Sequence, residues 1–237
     1  MSTAVLFVHG IQSGPRFFGF LTEHLPDSVT VCNLCLPGHE TTVREFRRSG
    51  IRDWLPVARD AARSLKARYD RVCFVGHSMG CLLGLLTEQE YPGTFSDMLL
   101  ICCPFSIRPT IRYLKNSIAA VFPKRKTDDP YALATRDSNS MTARFAGEYL
   151  TAVHPYLELF RLIHRVKTIP ERPACRLHFF YAERDEIVGK SSAPYAFEKY
   201  GIEAVRLHGC GHNYFTDEAK DRILHELVVC CSSDSFS

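Results

Sequence analysis

The sequence has almost no excess of charge of either sign. Its 237 residues carry 29 Lys and Arg against 26 Asp and Glu, which gives a formal net charge of +3. A nucleic-acid-binding protein needs a strongly basic face, so this balance argues against that class. The short basic run Lys124-Arg125-Lys126 is interpreted as a solvated loop rather than as a phosphate or membrane patch.

Long apolar runs are missing as well. No eighteen consecutive residues are apolar, so no membrane-spanning helix is expected. The segment from Ser2 to Gly10 has neither a basic start nor a cleavage site, and it predicts a β-strand rather than a signal peptide. We therefore expect a cytoplasmic protein without stable membrane insertion.

Cysteine, by contrast, is abundant, with ten in the chain. Four of them lie inside apolar strand-like or helix-like runs: Cys73, Cys81, Cys102 and Cys103. This placement predicts reduced core residues in a reducing compartment. Cys32 and Cys35 have the spacing of a redox or zinc pair, but no second pair stands at finger spacing, so a structural role is favoured. A redox or zinc protein remains an alternative.

Apolar runs alternate with helical patterns along the chain, and hydrophobic residues make up 46% of it. The strand-like runs are Ala4 to Val8, Val29 to Leu34, Arg71 to Val75, Met98 to Cys102, Leu177 to Tyr181 and Ala204 to Leu207. The helical patterns are Asp53 to Tyr69, Met79 to Tyr91 and Asp217 to Val229. This order predicts one α/β domain over residues 1–237, with a mostly parallel sheet and helices on both faces. Since the runs are near-continuously apolar, we expect each strand to be buried on both sides.

The stretch from about Pro104 to Pro170 interrupts this alternation. It is too long for a simple crossover connection, so we expect an inserted cap over about 105–170. Its aromatic residues can either line an acyl pocket or only pack the cap on the body; they include Phe122, Phe145, Tyr149, Tyr156 and Phe160.

A strand-like run leads directly into Gly76-His77-Ser78-Met79-Gly80, and a helical pattern follows. G-x-S-x-G between a strand and a helix is typical of a nucleophile elbow, which exposes the serine oxygen above the sheet. Gly76 and Gly80 allow the neighbouring backbone to pass close by. Ser78 is therefore the candidate nucleophile, and an ordinary tight turn is the alternative.

A serine nucleophile also needs two N–H donors for the oxyanion of its tetrahedral intermediate. One is expected from Met79, directly after the serine, and the other from the loop after the first strand. In that loop, His9-Gly10 precedes Ile11. Because Gly10 lets the backbone turn inward, Ile11 is the expected donor. His9 and His77 are expected to shape the site rather than to transfer protons.

A base and an acid complete the predicted chemistry. Of the ten histidines, His212 is best placed, in a glycine-flanked loop between the last strand and the closing helix. The acid is expected after the preceding strand, where Asp185 is favoured over Glu183 and Glu186. The resulting chain order, with Ser78 first and His212 last, is that of serine–acid–histidine hydrolases.

These motifs resemble the α/β-hydrolase superfamily, and more narrowly its compact carboxylesterase and monoacylglycerol-lipase-like branch. Leu36-Pro37-Gly38-His39 is also similar to a segment of that family. The resemblance implies hydrolysis of short- to medium-chain acyl esters or monoacylglycerols through an acyl-enzyme on Ser78, without metal or organic cofactor. Because the chain begins almost on its first strand, we expect about six strands and none of the antiparallel strands that often precede them.

The substrate stays open at this point. A thioesterase, a lactonase, an aryl- or cinnamoyl-esterase and a hydrolase of C–C bonds can all use the same triad, and fold alone does not choose between them. A non-catalytic binding protein that keeps the fold is a further alternative. The expected partner is a small-molecule ester, and the sequence gives no oligomeric state.

Overall fold

The computed structural model describes residues 1–121 and 127–232. Its strands are β1 Thr3–Val8, β2 Val29–Leu34, β3 Arg71–His77, β4 Asp97–Ile101, β5 Arg176–Ala182 and β6 Ala204–Leu207. Its helices are α1 Gly19–Thr22, α2 Val43–Phe46, α3 Ile51–Lys66, α4 Met79–Glu90, α5 Ile111–Val121, α6 Pro130–Ser138, α7 Val153–Lys167, α8 Ser192–Tyr200 and α9 Asp217–Ser232. The six strands form one sheet in the order β2-β1-β3-β4-β5-β6, and all five described pairs are parallel. The predicted α/β fold is confirmed.

The sheet separates two hydrophobic cores. Along β1, Leu6 and Val8 face the core built with α3, α4 and α7, whereas Val5 and Phe7 face the core built with α1 and α9. This alternation follows from the two-residue period of a strand, and both sets of side chains are fully buried. Helices therefore cover both faces, as the sequence predicts.

Two details of the predicted elements are wrong. β2 and β6 are edge strands with one neighbour each, and Val31 and Arg206 are exposed. Burial of every residue holds only for β1, β3 and β4. The helix predicted from Asp53 begins at Ile51, because the Asp53 carboxylate accepts the backbone N–H of Gly50 at 2.9 Å. Asp53 is thus the third residue of the helix, where it caps the helix start, rather than the first.

The stretch between β4 and β5 contains α5, α6, a 3₁₀ helix at Ala146–Thr151, and α7. α5 and α6 contact each other, while α7 packs on α3 and α4 through Leu159, Leu162 and Val166. A cap over about 105–170 within one domain stays a prediction.

The predicted basic loop at Lys124-Arg125-Lys126 and the side chain of Phe122 lie outside the described residues. Among the helices that the structure describes, none has the length and apolarity to cross a membrane.

All strands of a parallel sheet end at the same edge, and the residues that follow them meet there. Here that edge carries the loop after β1, the turn between β3 and α4, the loop after β5 and the loop after β6. Each of these four segments contains predicted site residues, so the topology alone brings the candidate site together.

Candidate active site

Ser78 is the single residue between β3 and α4, and its backbone is strained. Its φ of 51° and ψ of −119° lie in a region that residues with side chains rarely adopt. Close packing enforces the turn: a Cβ atom added at Gly80 would lie 1.9 Å from the Val8 carbonyl oxygen, and one at Gly76 would lie 2.7 Å from the Cys81 nitrogen. The predicted strand–turn–helix is therefore present, with both glycines where a side chain cannot fit.

Ser78, His212 and Asp185 form one chain of hydrogen bonds. Ser78 Oγ lies 3.0 Å from His212 Nε2, and His212 Nδ1 lies 2.9 Å from Asp185 Oδ2. The network fixes the neutral tautomer of the ring, with Nδ1 donating to the carboxylate and Nε2 accepting from the serine hydroxyl. This is the arrangement in which an imidazole can take the proton of a serine hydroxyl.

The Asp185 carboxylate is held from its other side as well. Its Oδ1 accepts the backbone N–H groups of Ile187 at 2.9 Å and Val188 at 2.8 Å, which leaves Oδ2 for the histidine. The two alternative acids point elsewhere: Glu183 binds Arg206 and the N–H of Gly209, and Glu186 accepts the backbone N–H of His212. The structure thus brings Asp185, the favoured acid, to the ring.

The charge of Asp185 governs the titration of His212. Burial is the largest influence and acts to lower the pKa of His212, but the Coulomb attraction and hydrogen bond of Asp185, together with the charge of Glu186, raise that pKa above 6.5. The neighbouring His77 and His9 behave differently. Burial keeps the pKa of His77 well below its usual value and lowers the pKa of His9 to about 4, so both are neutral at pH 7.

The loop after β1 lies against the serine. Ile11 lines the same cavity as Ser78, and a Cβ atom added at Gly10 would lie 3.0 Å from the Ser78 Cβ. His9 fixes this loop, because its Nδ1 donates to the Gly10 carbonyl at 2.9 Å and its Nε2 accepts the N–H of Leu36 at 3.1 Å. Met79 is the first residue of α4, so its N–H has no partner within the helix. Ile11 thus shares a cavity with Ser78 and Met79 follows Ser78 directly, while their role as oxyanion donors stays a prediction.

A cavity of about 440 Å³ opens over Ser78 and His212. Of the aromatic residues predicted as candidates for an acyl pocket, Tyr149, Tyr156 and Phe160 line it. Phe145 does not line it and is 66% exposed. Most of the cavity surface is apolar, and Ile107, Pro109, Leu159 and Ile187 contribute to it. A cavity of this size and character fits a small organic substrate with an apolar part.

Comparison with known proteins shows to which family the chain belongs. A model of the alpha/beta hydrolase family matches residues 5–226. The chain belongs to the alpha/beta hydrolase family. A thermostable monoacylglycerol lipase from Bacillus sp. (strain H-257) is 26% identical to this hydrolase over 214 residues, which are 88% of this chain and 82% of that lipase.

Solved structures share the fold of this alpha/beta hydrolase. A structure of the metagenome-derived lipolytic enzymes LipS and LipT superposes with a TM-score of 0.75 at 20% identity, covering 96% of this chain and 92% of that one. The monoacylglycerol lipase of Paleococcus ferrophilus superposes with a TM-score of 0.67 at 17% identity, covering 96% and 94% of the two chains.

In the described part of the hydrolase, two groups of side chains place metal-type ligands within 4.8 Å of one another. In the first, His77, Cys102 and His212, the ring nitrogen of His212 is already bonded to Ser78. The second group consists of Asp97, His178 and Cys230. Its Asp97 is paired with the guanidinium groups of Arg71 and Arg176. Both groups are explained by these existing bonds, and neither requires an ion.

Four contacts of the site escaped the sequence reasoning. His77 Nε2 donates to the carbonyl of His212 at 2.9 Å, and the His77 ring stacks on Phe17 with a centroid distance of 4.0 Å. Glu186 binds the backbone N–H of His212, and the backbone N–H of Ser140 donates to the Gln12 carbonyl at 2.9 Å. Since these contacts join distant parts of the chain, no local pattern in the sequence indicates them.

Proposed function

We propose that this alpha/beta hydrolase is a carboxylic ester hydrolase in which Ser78 is the nucleophile, His212 the base and Asp185 the acid that orients the base. The observation that carries the proposal is the hydrogen-bonded chain from Ser78 Oγ to His212 Nε2 and from His212 Nδ1 to Asp185 Oδ2, at 3.0 and 2.9 Å, on the wall of an apolar cavity. Its relative from Bacillus sp., a monoacylglycerol lipase, supports the same assignment.

In the first half of the reaction, Ser78 Oγ attacks the ester carbonyl carbon while its proton moves to His212 Nε2. The imidazolium is stabilised by the Asp185 carboxylate. The carbonyl oxygen becomes an oxyanion, which accepts hydrogen bonds from the backbone N–H groups of Ile11 and Met79 and faces the positive end of α4. The C–O bond then breaks, and the alcohol leaves with the proton from His212.

In the second half, a water molecule replaces the alcohol. His212 Nε2 removes its proton, the water oxygen attacks the acyl carbon, and the Ser78 C–O bond breaks as His212 returns the proton to Ser78 Oγ. The products are the free acid and regenerated Ser78. Each proton taken up by His212 is given back, so the cycle consumes only ester and water.

The substrate class follows from the cavity. Its apolar lining, including Ile107, Leu159 and Phe160, suits a short- to medium-chain acyl group or the acyl chain of a monoacylglycerol. Gln12 also lines the cavity, where its side-chain amide can bind a hydroxyl group on the alcohol side.

We also propose a reducing compartment such as the cytoplasm. All ten cysteines are free, and seven of them are buried. Burial raises the pKa of the thiols of Cys81 and Cys102 well above the usual value, which keeps them protonated and unreactive.

A parallel assay tests the proposed reaction. The purified protein is given p-nitrophenyl butyrate and octanoate, a medium-chain monoacylglycerol, and an acyl-CoA of matched chain length. We expect turnover of the oxygen esters, with the thioester slower. Turnover of the thioester alone would contradict the ester assignment, and turnover of none would favour a binding protein.

A further inference from the structure

One carboxylate at the site has no part in the reaction described above. The side chain of Glu186 is buried, with 2% of the residue exposed, directly beside Asp185 in the chain. Its Oε2 accepts the backbone N–H of His212 at 3.0 Å. Burying a carboxylate is unfavourable unless it is paired or hydrogen-bonded, so its position behind the histidine calls for a role.

The loop that carries Glu186 runs beside the loop that carries His212. The backbone N–H of Arg184 donates to the Cys210 carbonyl at 2.9 Å, and two residues further along both loops Glu186 meets His212. The backbone of Glu186 is fixed from the opposite side, because its carbonyl accepts the N–H of Thr110 at 2.9 Å. Backbone hydrogen bonds therefore tie the loop of Glu186 both to the loop of His212 and to the residue before α5.

The sequence leaves room for this contact at Gly211. A Cβ atom added there would lie 2.8 Å from Glu186 Oε2 and 2.6 Å from a ring carbon of Tyr131. Any larger residue would push the carboxylate away from the backbone of His212. The glycine before the histidine thus serves the approach of Glu186.

We propose that Glu186 is a positioning residue for His212: its carboxylate fixes the backbone that carries the imidazole and stabilises the imidazolium formed when Ser78 is deprotonated. This inference rests on the proposed function of the site. Asp185 orients the ring through Nδ1, whereas Glu186 acts on the main chain and through its charge, so the two neighbouring carboxylates have different tasks.

Among the described residues, these two carboxylates are the charged groups that raise the pKa of His212. His77 is kept neutral by burial, and burial together with the charge of Asp185 raises the pKa of the Cys102 thiol. From α5, Arg112 lies over the ring of Tyr131, with 4.7 Å between the guanidinium carbon and the ring centroid. Removal of the Glu186 charge should therefore destabilise the imidazolium and lower the pKa of His212.

Glu186→Gln separates charge from geometry, because an amide oxygen can still accept the N–H of His212. The histidine ring signals of the wild type and of this variant are titrated by NMR, and His212 is assigned with His212→Asn. We expect the titration midpoint of His212 to fall in Glu186→Gln. The matched control is Glu183→Gln, because Glu183 lies on the same loop and its carboxylate pairs with Arg206. In this control the titration midpoint of His212 should be unchanged. An unchanged midpoint in Glu186→Gln would overturn the proposal.

Glu186→Asp supplies a second test that does not depend on the folding of the first variant. The shorter side chain keeps the charge but loses contact with the backbone of His212. We expect kcat to fall about tenfold, as for one lost hydrogen bond to a charged group, with KM and the acid side of the pH profile retained. An unchanged kcat would contradict the positioning role.

Different results would overturn the proposed ester hydrolysis and the proposed role of Glu186. If the wild type hydrolyses no ester, the proposed function is wrong, while the NMR titration still measures what Glu186 does to His212.

Discussion

At the scale of single residues, the site depends on a serine whose backbone conformation is unfavourable by itself. A positive φ of 51° at Ser78 costs roughly 1–3 kcal/mol and persists only where the surroundings enforce it. Here β3 and α4 enforce it from both sides, and the Ser78 N–H donates to the Ile101 carbonyl at 2.9 Å. The hydroxyl is thereby held 3.0 Å from His212 Nε2 before any substrate arrives.

Replacing Ser78 by alanine should remove the nucleophile without disturbing the fold. We expect kcat for p-nitrophenyl butyrate to fall by roughly a thousandfold or more, as in serine hydrolases that lose a triad member. Circular dichroism and the thermal unfolding midpoint provide the folding control. A variant with the wild-type rate would show that another residue attacks the ester.

The pH dependence of the reaction belongs to the same scale. His212 can accept the serine proton only when it is neutral, and Asp185 and Glu186 raise its pKa above 6.5. Activity should therefore be low at acidic pH, rise as His212 loses its proton, and reach half of its maximum above pH 6.5. The measurement is kcat/KM between about pH 5 and 9. A flat profile would contradict the role of His212 as the base, and a midpoint below 6.5 would contradict the raised pKa.

At the scale of elements, the packing of α4 against β1 sets the position of the elbow. Gly80→Ala would place a Cβ atom 1.9 Å from the Val8 carbonyl oxygen, so helix and strand must move apart. We expect the free energy of unfolding, measured in urea, to fall by about 1–3 kcal/mol or more, together with activity. The control is Gly19→Ala in α1, where the added Cβ meets only the flexible end of Glu23. Equal stability of both variants would contradict this account.

A second contact joins the stretch after α6 to the loop after β1, which is the predicted oxyanion loop. The Ser140 hydroxyl donates to the Ser13 carbonyl at 2.7 Å, and its N–H donates to the carbonyl of Gln12, whose φ is 61°. Ser140→Ala should loosen the loop that presents the N–H of Ile11. We expect kcat to fall severalfold, about the effect of one hydrogen bond, while KM changes little.

The matched control is Thr142→Val, which removes the hydroxyl that binds the Thr41 carbonyl at 3.4 Å, away from the oxyanion loop. The measurement is the steady-state kcat and KM of both variants. A Ser140→Ala enzyme with the kcat of the control would show that the tie is dispensable.

At the scale of the whole molecule, much of the architecture is predictable because buried parallel strands are distinctive. The apolar runs predict all six strands to within two residues at either end, and the alternation with helices predicts the two-layered covering. Burial at the sheet edges is not predictable in the same way. Val29 to Leu34 is apolar at four of its six positions, which predicts a buried strand, but its place at the end of the strand order exposes Val31.

The site, like the fold, has features that the sequence predicts and features that it does not. Ser78, Asp185 and His212 are predictable from the sequence because each lies in a loop after a recognisable strand, and parallel topology then brings the loops together. The supporting contacts are not, since Ser140 meets Gln12 and Glu186 meets His212 only through the folding of distant segments. Sequence patterns report which elements form, whereas these contacts depend on how the elements pack.

The most direct test of the central claim is covalent labelling of Ser78. The protein is incubated with a fluorophosphonate probe, digested and mapped by mass spectrometry, with Ser78→Ala as the control. The account predicts a single adduct on the peptide containing Ser78, formed more slowly at acidic pH, and none in the variant. An adduct on another residue, or an unlabelled Ser78 in folded protein, would contradict the assignment of Ser78 as the nucleophile.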